Sequence, residues 1–135
     1  MTTTTGVSLY LSRLLLDLDC RQVAAELAHP YEMHRTLLRA FPDEGEALSE
    51  PDARERRRAS GVLFRADQDP LRNTVTLYVQ SFAVPDWAFL TALGPYLDAA
   101  RSASSVAVRD LAPVYQGFRS GQLLAFRLRA NPTKR

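Results

Sequence analysis

Cysteine, lysine and long apolar runs are scarce in this sequence, and each scarcity excludes a class of protein. The one cysteine among 135 residues, Cys20, rules out a disulfide within the chain and favours a reducing, cytoplasmic compartment. No apolar run approaches the roughly 20 residues that a membrane-spanning helix needs. Residues 1–6 are rich in threonine and have neither the basic nor the apolar region of a secretion signal. We therefore expect a disordered tail there and no contact with a membrane.

The composition is that of one globular domain, which we place at residues 7–135. Hydrophobic residues make up 46% of the chain and charged residues 24%. The net charge is +2, and nearly all of the positive charge is arginine, since Lys134 is the only lysine. The planar guanidinium suits contacts with phosphates and bases, but arginine enrichment also accompanies GC-rich coding, so composition alone leaves nucleic-acid binding open. No cluster of cysteine and histidine offers a metal site, and no cofactor is expected.

Four stretches have the alternating or continuous apolar pattern that is typical of β-strands. They are Val7–Leu16, Gly61–Asp67, Asn73–Phe82 and Gly121–Ala130. The sequence QDPLRN between the second and third stretches is typical of a turn, so these two strands should form a hairpin. Ser105–Leu111 is a further candidate for a short strand.

Helical patterns lie between the predicted strands. A short helix is expected over Cys20–Ala28, and a second over Tyr31–Phe41, where Pro30 stands at the position that tolerates a missing N–H. A third helix should begin at Asp86 and break or kink at Gly94-Pro95. The segment Pro42–Ser60 contains two prolines, a glycine and charges of both signs, and we interpret it as a long connection.

The order of these elements, β-α-β-β-α-β, predicts an α+β protein with the ferredoxin-like fold. Such a fold has a four-stranded antiparallel sheet with its helices on one face, which leaves the other face open. RNA-recognition modules share this arrangement, but their aromatic-rich, glycine-containing strand is missing from this sequence. We therefore do not expect an ordinary sheet-face RNA binder.

The sequence HPYEMHRTLLRAF, from His29 to Phe41, carries a candidate reaction centre. Tyr31 and His34 are three residues apart, so a helix places them on one side, at the boundary between its apolar stripe and solvent. Imidazole exchanges a proton near neutral pH, a phenol donates a hydrogen bond to phosphate, and Arg35 can offset negative charge nearby. These groups suit RNA scission by an adjacent 2′-hydroxyl, without a metal.

Other interpretations of the same residues remain open. A single histidine at the edge of a helix is often structural or simply solvated, and Tyr31 can pack on the sheet as a hydrophobic staple. His29 is the rival histidine, but its place before a proline is more typical of a cap or a turn.

Two basic stretches lie outside this helix. The cluster from Arg54 to Arg58 is interleaved with acidic residues, which favours a solvated loop over a phosphate-binding one. Arg127 and Arg129 alternate along the last predicted strand, followed by Lys134, so they should share an outward face. That face should meet either RNA or another domain.

Four segments together resemble the CasE-type CRISPR repeat-processing endoribonucleases, which are subunits of the type I-E Cascade complex. The segments are LYLSRLLL, HPYEMHRTLLRAFP, VQSFAVPDW and FRLRANPTK, and they keep their order along nearly the whole chain. Each is unspecific alone, whereas the combination is specific.

The resemblance implies an activity and a set of roles. The family cuts CRISPR precursor RNA at the base of the repeat hairpin without a metal, leaving a 2′,3′-cyclic phosphate or the derived 3′-phosphate. It implies that His34 transfers the proton and that Tyr31 positions or stabilises the reacting group. Arg35, Arg39, Arg127, Arg129 and Lys134 become candidate RNA contacts, although an ideal helix places Arg39 well away from His34.

The resemblance also implies partners. Family members consist of two ferredoxin-like domains in tandem, so we expect this chain to be the first of them, with the C-terminal domain missing and the isolated piece weakly active or inactive. Other Cascade subunits are expected to bind as well. The alternative is a non-catalytic ferredoxin-like module that binds RNA or serves as a scaffold, and a third hypothesis is a domain that binds only proteins.

Overall fold

The computed structural model describes residues 8–41, 61–98 and 105–125. The helices and strands follow one another in this order: β1 (Tyr10–Leu16), α1 (Arg21–Ala28), α2 (Pro30–Leu38), β2 (Leu63–Asp69), β3 (Thr74–Ser81), α3 (Phe89–Ala92), β4 (Val106–Asp110) and α4 (Ala112–Gln116). The expected tail at residues 1–6 and the expected connection at residues 42–60 lie outside the described residues. No helix in the described ranges is long and apolar enough to cross a membrane.

The four strands form one antiparallel sheet in the order β2-β3-β1-β4. In its centre Leu14 of β1 lies opposite Leu77 of β3, and on the outer side of β1 Ser12 lies opposite Val108 of β4. The β2–β3 pair is the predicted hairpin, and Asp69 accepts hydrogen bonds at its turn from the N–H groups of Leu71 and Arg72. The predicted ferredoxin-like topology is therefore confirmed.

The fourth strand of the sheet is the minor candidate, and the described half of the stretch Gly121–Ala130 is not a strand. Residues 121–125 have no regular secondary structure, residues 126–130 lie outside the described ranges, and the minor candidate at Ser105–Leu111 supplies β4. Apolar and polar residues alternate in both segments, and within the described part of the chain it is Val106–Asp110 that pairs with β1. Leu123 is 96% exposed, so its apolar character does not correspond to a core position.

One face of the sheet carries the core, because alternate strand residues point to the same side. Leu14 and Leu16 of β1 share a buried cluster with residues of β3, of the helices and of the segments that flank α3: Val23, Met33, Leu37, Val75, Leu77, Val79, Trp87, Leu90 and Tyr96. The intervening strand residues, among them Arg13 and Tyr78, lie on the opposite face. All helices that contribute to the cluster therefore cover the same side, as predicted.

The connection between α1 and α2 consists of His29 alone. Its N–H donates to carbonyls of α1, and its carbonyl accepts from the N–H groups of Glu32 and Met33 at 2.9 and 3.2 Å. Pro30 is the first residue of α2, as predicted, since that position needs no N–H donor. His29 is exposed and serves as the joint between two helices, which confirms the prediction of a cap or turn residue.

The third helix is shorter than the sequence pattern predicts. Only Phe89–Ala92 is α-helical, after a turn in which the carboxylate of Asp86 accepts from the N–H of Ala88 at 3.0 Å. Gly94 follows with a φ of 82°, a left-handed conformation that ends the helix. The chain then returns to β1, where Leu97 bridges to Leu16.

Candidate active site

Helix α2 packs on the sheet through the apolar stripe predicted for it. Met33 and Leu37 are almost completely buried, and Ala40 continues the stripe just beyond the helix. A helix fixed on this side presents the neighbouring positions at the boundary with solvent. His34 follows Met33 directly and so lies at that boundary.

The imidazole of His34 is half-buried between α2 and the sheet. Its ring lies 6.3 Å from the ring of Phe64 in β2, centroid to centroid, with an interplanar angle of 30°. The contact with Phe64 fixes one face of the ring while part of the side chain stays open. The structure therefore confirms the predicted position of His34 between core and solvent, and a reactant can approach it from outside.

Tyr31 stands one turn before His34 on the same side of α2, and it is 67% exposed. This exposure excludes the alternative in which Tyr31 packs on the sheet as a staple. The phenol is free to contact a ligand that also reaches His34. The structure thus brings together the two residues at the centre of the sequence hypothesis.

The two candidate arginines in and just after α2 contact different neighbours. Arg35 lies 3.8 Å from the carboxylate of Glu32, and both side chains are more than half exposed. Arg39 lies over the ring of Phe89 in α3, 4.8 Å from its centroid. Because His34 contacts β2 while Arg39 contacts α3, the structure does not bring Arg39 to the same side as His34.

The remaining predicted RNA contacts cannot be placed, since Arg127, Arg129 and Lys134 lie outside the described residues, as does the cluster Arg54–Arg58. Among the described residues, no group of three or more histidine, cysteine, aspartate and glutamate side chains is arranged to hold a metal ion.

A buried carboxylate under α2 was not predicted from the sequence. Glu26 of α1 is only 5% exposed, and its oxygens accept from Gln22 Nε2 at 2.9 Å, Thr36 Oγ1 at 2.6 Å and Tyr96 Oη at 2.5 Å. A glutamate in a short amphipathic helix normally faces solvent, so only the spacing of Glu26 from the apolar Val23 indicated an inward position.

A groove of about 480 Å³ opens beside this carboxylate, between the α1–α2 pair and β2. It has the size of a small-molecule site. The lining residues come from both sides: Glu26, Leu27, Pro30, Met33, Phe64, Arg65 and Ala66. Since Phe64 also contacts His34, the imidazole stands at the margin of a concave surface.

Comparisons with known proteins agree with this arrangement. A family model described as CRISPR associated protein matches residues 9–135. The CRISPR-associated endoribonuclease Cse3 of Thermus thermophilus is 34% identical over 127 residues, which cover 94% of this chain and 50% of that protein.

Two solved structures have the same fold. The CRISPR endoribonuclease Cse3 bound to a 19-nucleotide RNA superposes with a TM-score of 0.60, at 26% identity, over 85% of this chain and 44% of that one. Thermus thermophilus Cse3 bound to an RNA representing a pre-cleavage complex superposes with a TM-score of 0.58, at 29% identity, over 85% and 46%.

The chain spans about half the length of the relatives that it matches. The family model nevertheless matches nearly all of this chain. The matched range includes all four strands of the sheet and the helix that carries His34. This chain therefore belongs to the CRISPR-associated protein family whose relatives include the endoribonuclease Cse3.

Proposed function

We propose that this chain carries the catalytic residues of an endoribonuclease that cleaves CRISPR repeat RNA at the base of its hairpin and so produces guide RNA. The observation that carries the proposal is the pair on α2, where a half-buried His34 held by Phe64 stands one turn from an exposed Tyr31. Similarity to Cse3, which has been solved with RNA, supports RNA as the substrate.

The proposed reaction is an internal transesterification that needs no metal. The ribose 2′-hydroxyl loses its proton and attacks the adjacent phosphorus, while the bond from phosphorus to the 5′-oxygen breaks and that oxygen gains a proton. The products are a 2′,3′-cyclic phosphate and a 5′-hydroxyl, and no water is consumed. His34 moves a proton in this step. The Tyr31 hydroxyl donates a hydrogen bond to a phosphate oxygen that gains negative charge.

Further partners belong to the same proposal. A second ferredoxin-like domain supplies much of the grip on the hairpin, and other Cascade subunits hold the protein and its RNA product in one cytoplasmic complex. Arg35 at the exposed end of α2 is positioned to contact the RNA backbone, since its ion pair with Glu32 is long and solvated.

The test is His34→Ala in the native protein, with any sequence that follows residue 135. Single-turnover cleavage of a repeat hairpin should fall by about 10²- to 10⁴-fold, while the RNA dissociation constant stays unchanged. His29→Gln is the matched control, because His29 is an exposed joint residue five positions away. Cleavage by the His34→Ala variant at the normal rate would refute the proposal.

Two further measurements define the chemistry. A chelator should leave the rate unchanged, and a substrate with 2′-deoxyribose at the scissile position should remain uncut. Cleavage of that deoxy substrate would show that the attacking group is not the 2′-hydroxyl.

A second candidate function is a non-catalytic module that binds RNA. The observation in its favour is the sheet face opposite the core, where Arg13, Arg65 and Arg109 are exposed. Among the described residues no carboxylate pairs with Arg13 or Arg109, whereas Arg65 pairs with Asp67 at 3.0 Å and lies over Tyr78. Salt-dependent RNA binding that weakens in Arg13→Gln, with no cleaved product, would favour this candidate.

A further inference from the structure

The buried carboxylate of Glu26 joins three parts of the fold that are far apart in sequence. Gln22 and Glu26 belong to α1, Thr36 belongs to α2, and Tyr96 precedes the bridge to β1. The donors supply hydrogen bonds to both carboxylate oxygens at 2.5 to 2.9 Å. A buried carboxylate is tolerated only when its oxygens are satisfied in this way. Losing one donor therefore disturbs the position of all three parts.

The residues of this hydrogen-bonded group contact α2 at positions before and after His34. Thr36, two residues after His34, donates to Glu26. The hydroxyl of Tyr96 donates to Glu26 and lies 3.4 Å from the sulfur of Met33, the residue just before His34. The carboxylate thus holds the buried side of α2 where the opposite flank presents the imidazole.

The Tyr96 hydroxyl keeps its proton at neutral pH. Burial raises the pKa of Tyr96, and the hydrogen bond to the Glu26 carboxylate raises it further. The phenol consequently remains a donor at neutral pH. The His34 ring itself contacts the Phe64 ring on β2, so the imidazole has an aromatic neighbour on the sheet while its helix is anchored in the core by Glu26.

We propose that Glu26 is a positioning residue for the reaction. Through Thr36 and Tyr96 it fixes the rotation and the axial position of α2, and these determine the direction of the His34 ring. Glu26 does not touch the RNA in this scheme. The inference rests on the proposed function, since it assigns a role relative to proton transfer by His34. A core residue that does not contact the substrate would thus affect the cleavage rate.

The test uses single-hydroxyl deletions. Thr36→Val and Tyr96→Phe each remove one donor with little change in shape. Ser12→Ala is the matched control, because Ser12 Oγ accepts the buried hydrogen bond of Trp87 Nε1 at 2.9 Å, between β1 and the segment before α3. The control also removes one buried side-chain hydrogen bond, and it does so without touching α2.

In the native protein, Thr36→Val and Tyr96→Phe should slow single-turnover cleavage by roughly 10- to 100-fold, with an unchanged RNA dissociation constant. Ser12→Ala should stay within about twofold of the wild-type rate at a temperature where all variants are folded. Thr36→Ser, which keeps the hydroxyl, should restore most of the rate. Equal rates for Thr36→Val and Ser12→Ala would overturn the proposal.

A spectroscopic measurement separates this inference from the proposed function. His29 and His34 are the only histidines of the 135-residue chain, so labelled histidine gives two sets of imidazole resonances. Thr36→Val should shift the His34 set more than Ser12→Ala does and leave the His29 set in place. Unshifted His34 resonances would refute positioning even if His34 proves catalytic. Shifted resonances with an active His34→Ala variant would leave positioning intact and refute only the catalytic role.

Discussion

The two edges of the sheet differ in how they are covered. At the β2 edge, Phe64 and Ala66 pack against the core beneath α1 and α2. At the β4 edge, every residue from Val106 to Asp110 is exposed, and α4 buries none of its residues. Two strands at opposite edges of one sheet thus have opposite environments.

The difference explains where a reactive side chain can be held. Catalytic groups need a fixed direction, which packing and buried hydrogen bonds supply. His34 at the covered edge has Phe64 on one side and the anchor at Glu26 beneath its helix. The β4 edge offers a shallower groove of about 340 Å³ beside Trp87, with Val106 and Val108 in its wall. The covered edge is therefore the better place for chemistry, and the open one has the features of a contact surface.

The largest expected effect compares packing at the two edges. Leu37→Ala removes a fully buried side chain of α2 and should lower the free energy of unfolding by about 2–5 kcal/mol. Val108→Ala at the open edge should cost less than about 1 kcal/mol, because Val108 is 45% exposed. Urea denaturation measures both values. Similar losses for the two variants would contradict the contrast between the edges.

The next effect concerns activity alone. Tyr31→Phe should slow cleavage by about 10- to 100-fold, because it deletes a hydrogen bond to a charged group, and should leave stability unchanged since Tyr31 is exposed. Tyr115→Phe in α4 is the control at the open edge, where Tyr115 packs on Phe118 with ring centroids 5.0 Å apart. A wild-type rate for Tyr31→Phe would exclude the phenol from the reaction.

A smaller effect appears at alkaline pH. Burial raises the pKa of Tyr96 above its unfolded value near 10. The unfolded chain therefore releases this proton first, and the stability that Tyr96 contributes is present below pH 10 and declines above it. Between pH 10 and pH 11 the loss should be about 1 kcal/mol. The loss is measured by comparing the free energy of unfolding of the wild type with that of Tyr96→Phe across this pH range. Identical pH profiles would show that the phenol ionises equally in the folded and unfolded states.

The smallest effects concern two exposed arginines, Arg35 in α2 and Arg39 at its C-terminal cap. Arg39→Ala should lower stability by about 0.5–1 kcal/mol through its lost contact with the Phe89 ring. Arg35→Ala should cost less than about 0.5 kcal/mol, because its ion pair with Glu32 is exposed and 3.8 Å long. Thermal melting measures the loss of stability in each variant. A larger loss for Arg35→Ala than for Arg39→Ala would contradict the prediction.

Local patterns were enough to predict much of the fold. The alternation of β3 and the apolar run of β1 located both central strands, and Pro30 located the start of α2. The apolar stripe through Met33 and Leu37 also predicted that His34 lies at the boundary of the core. These features are decided by neighbours three or four positions away, so a single sequence contains them.

Local patterns failed where long-range partners decide. Apolar and polar residues alternate in the same way in Ser105–Leu111 and Gly121–Ala130, and pairing with β1 identifies Val106–Asp110 as the fourth strand of the described sheet. The helix predicted from Asp86 begins only at Phe89, because Asp86 forms a turn with Ala88, whereas its end at Ala92 agrees with the break predicted at Gly94-Pro95.

The sequence by itself determined the order of elements, the face of α2 that packs inward, and the pairing of Tyr31 with His34 on one side of a helix. Periodicity and spacing specify these, because each depends on residues within one or two turns. Only the tertiary structure decided that Phe64 meets the His34 ring and that Glu26 gathers Thr36 and Tyr96 from 10 and 70 positions away. Such contacts depend on how helices and strands pack, and a carboxylate in a sequence does not show which hydroxyls will surround it.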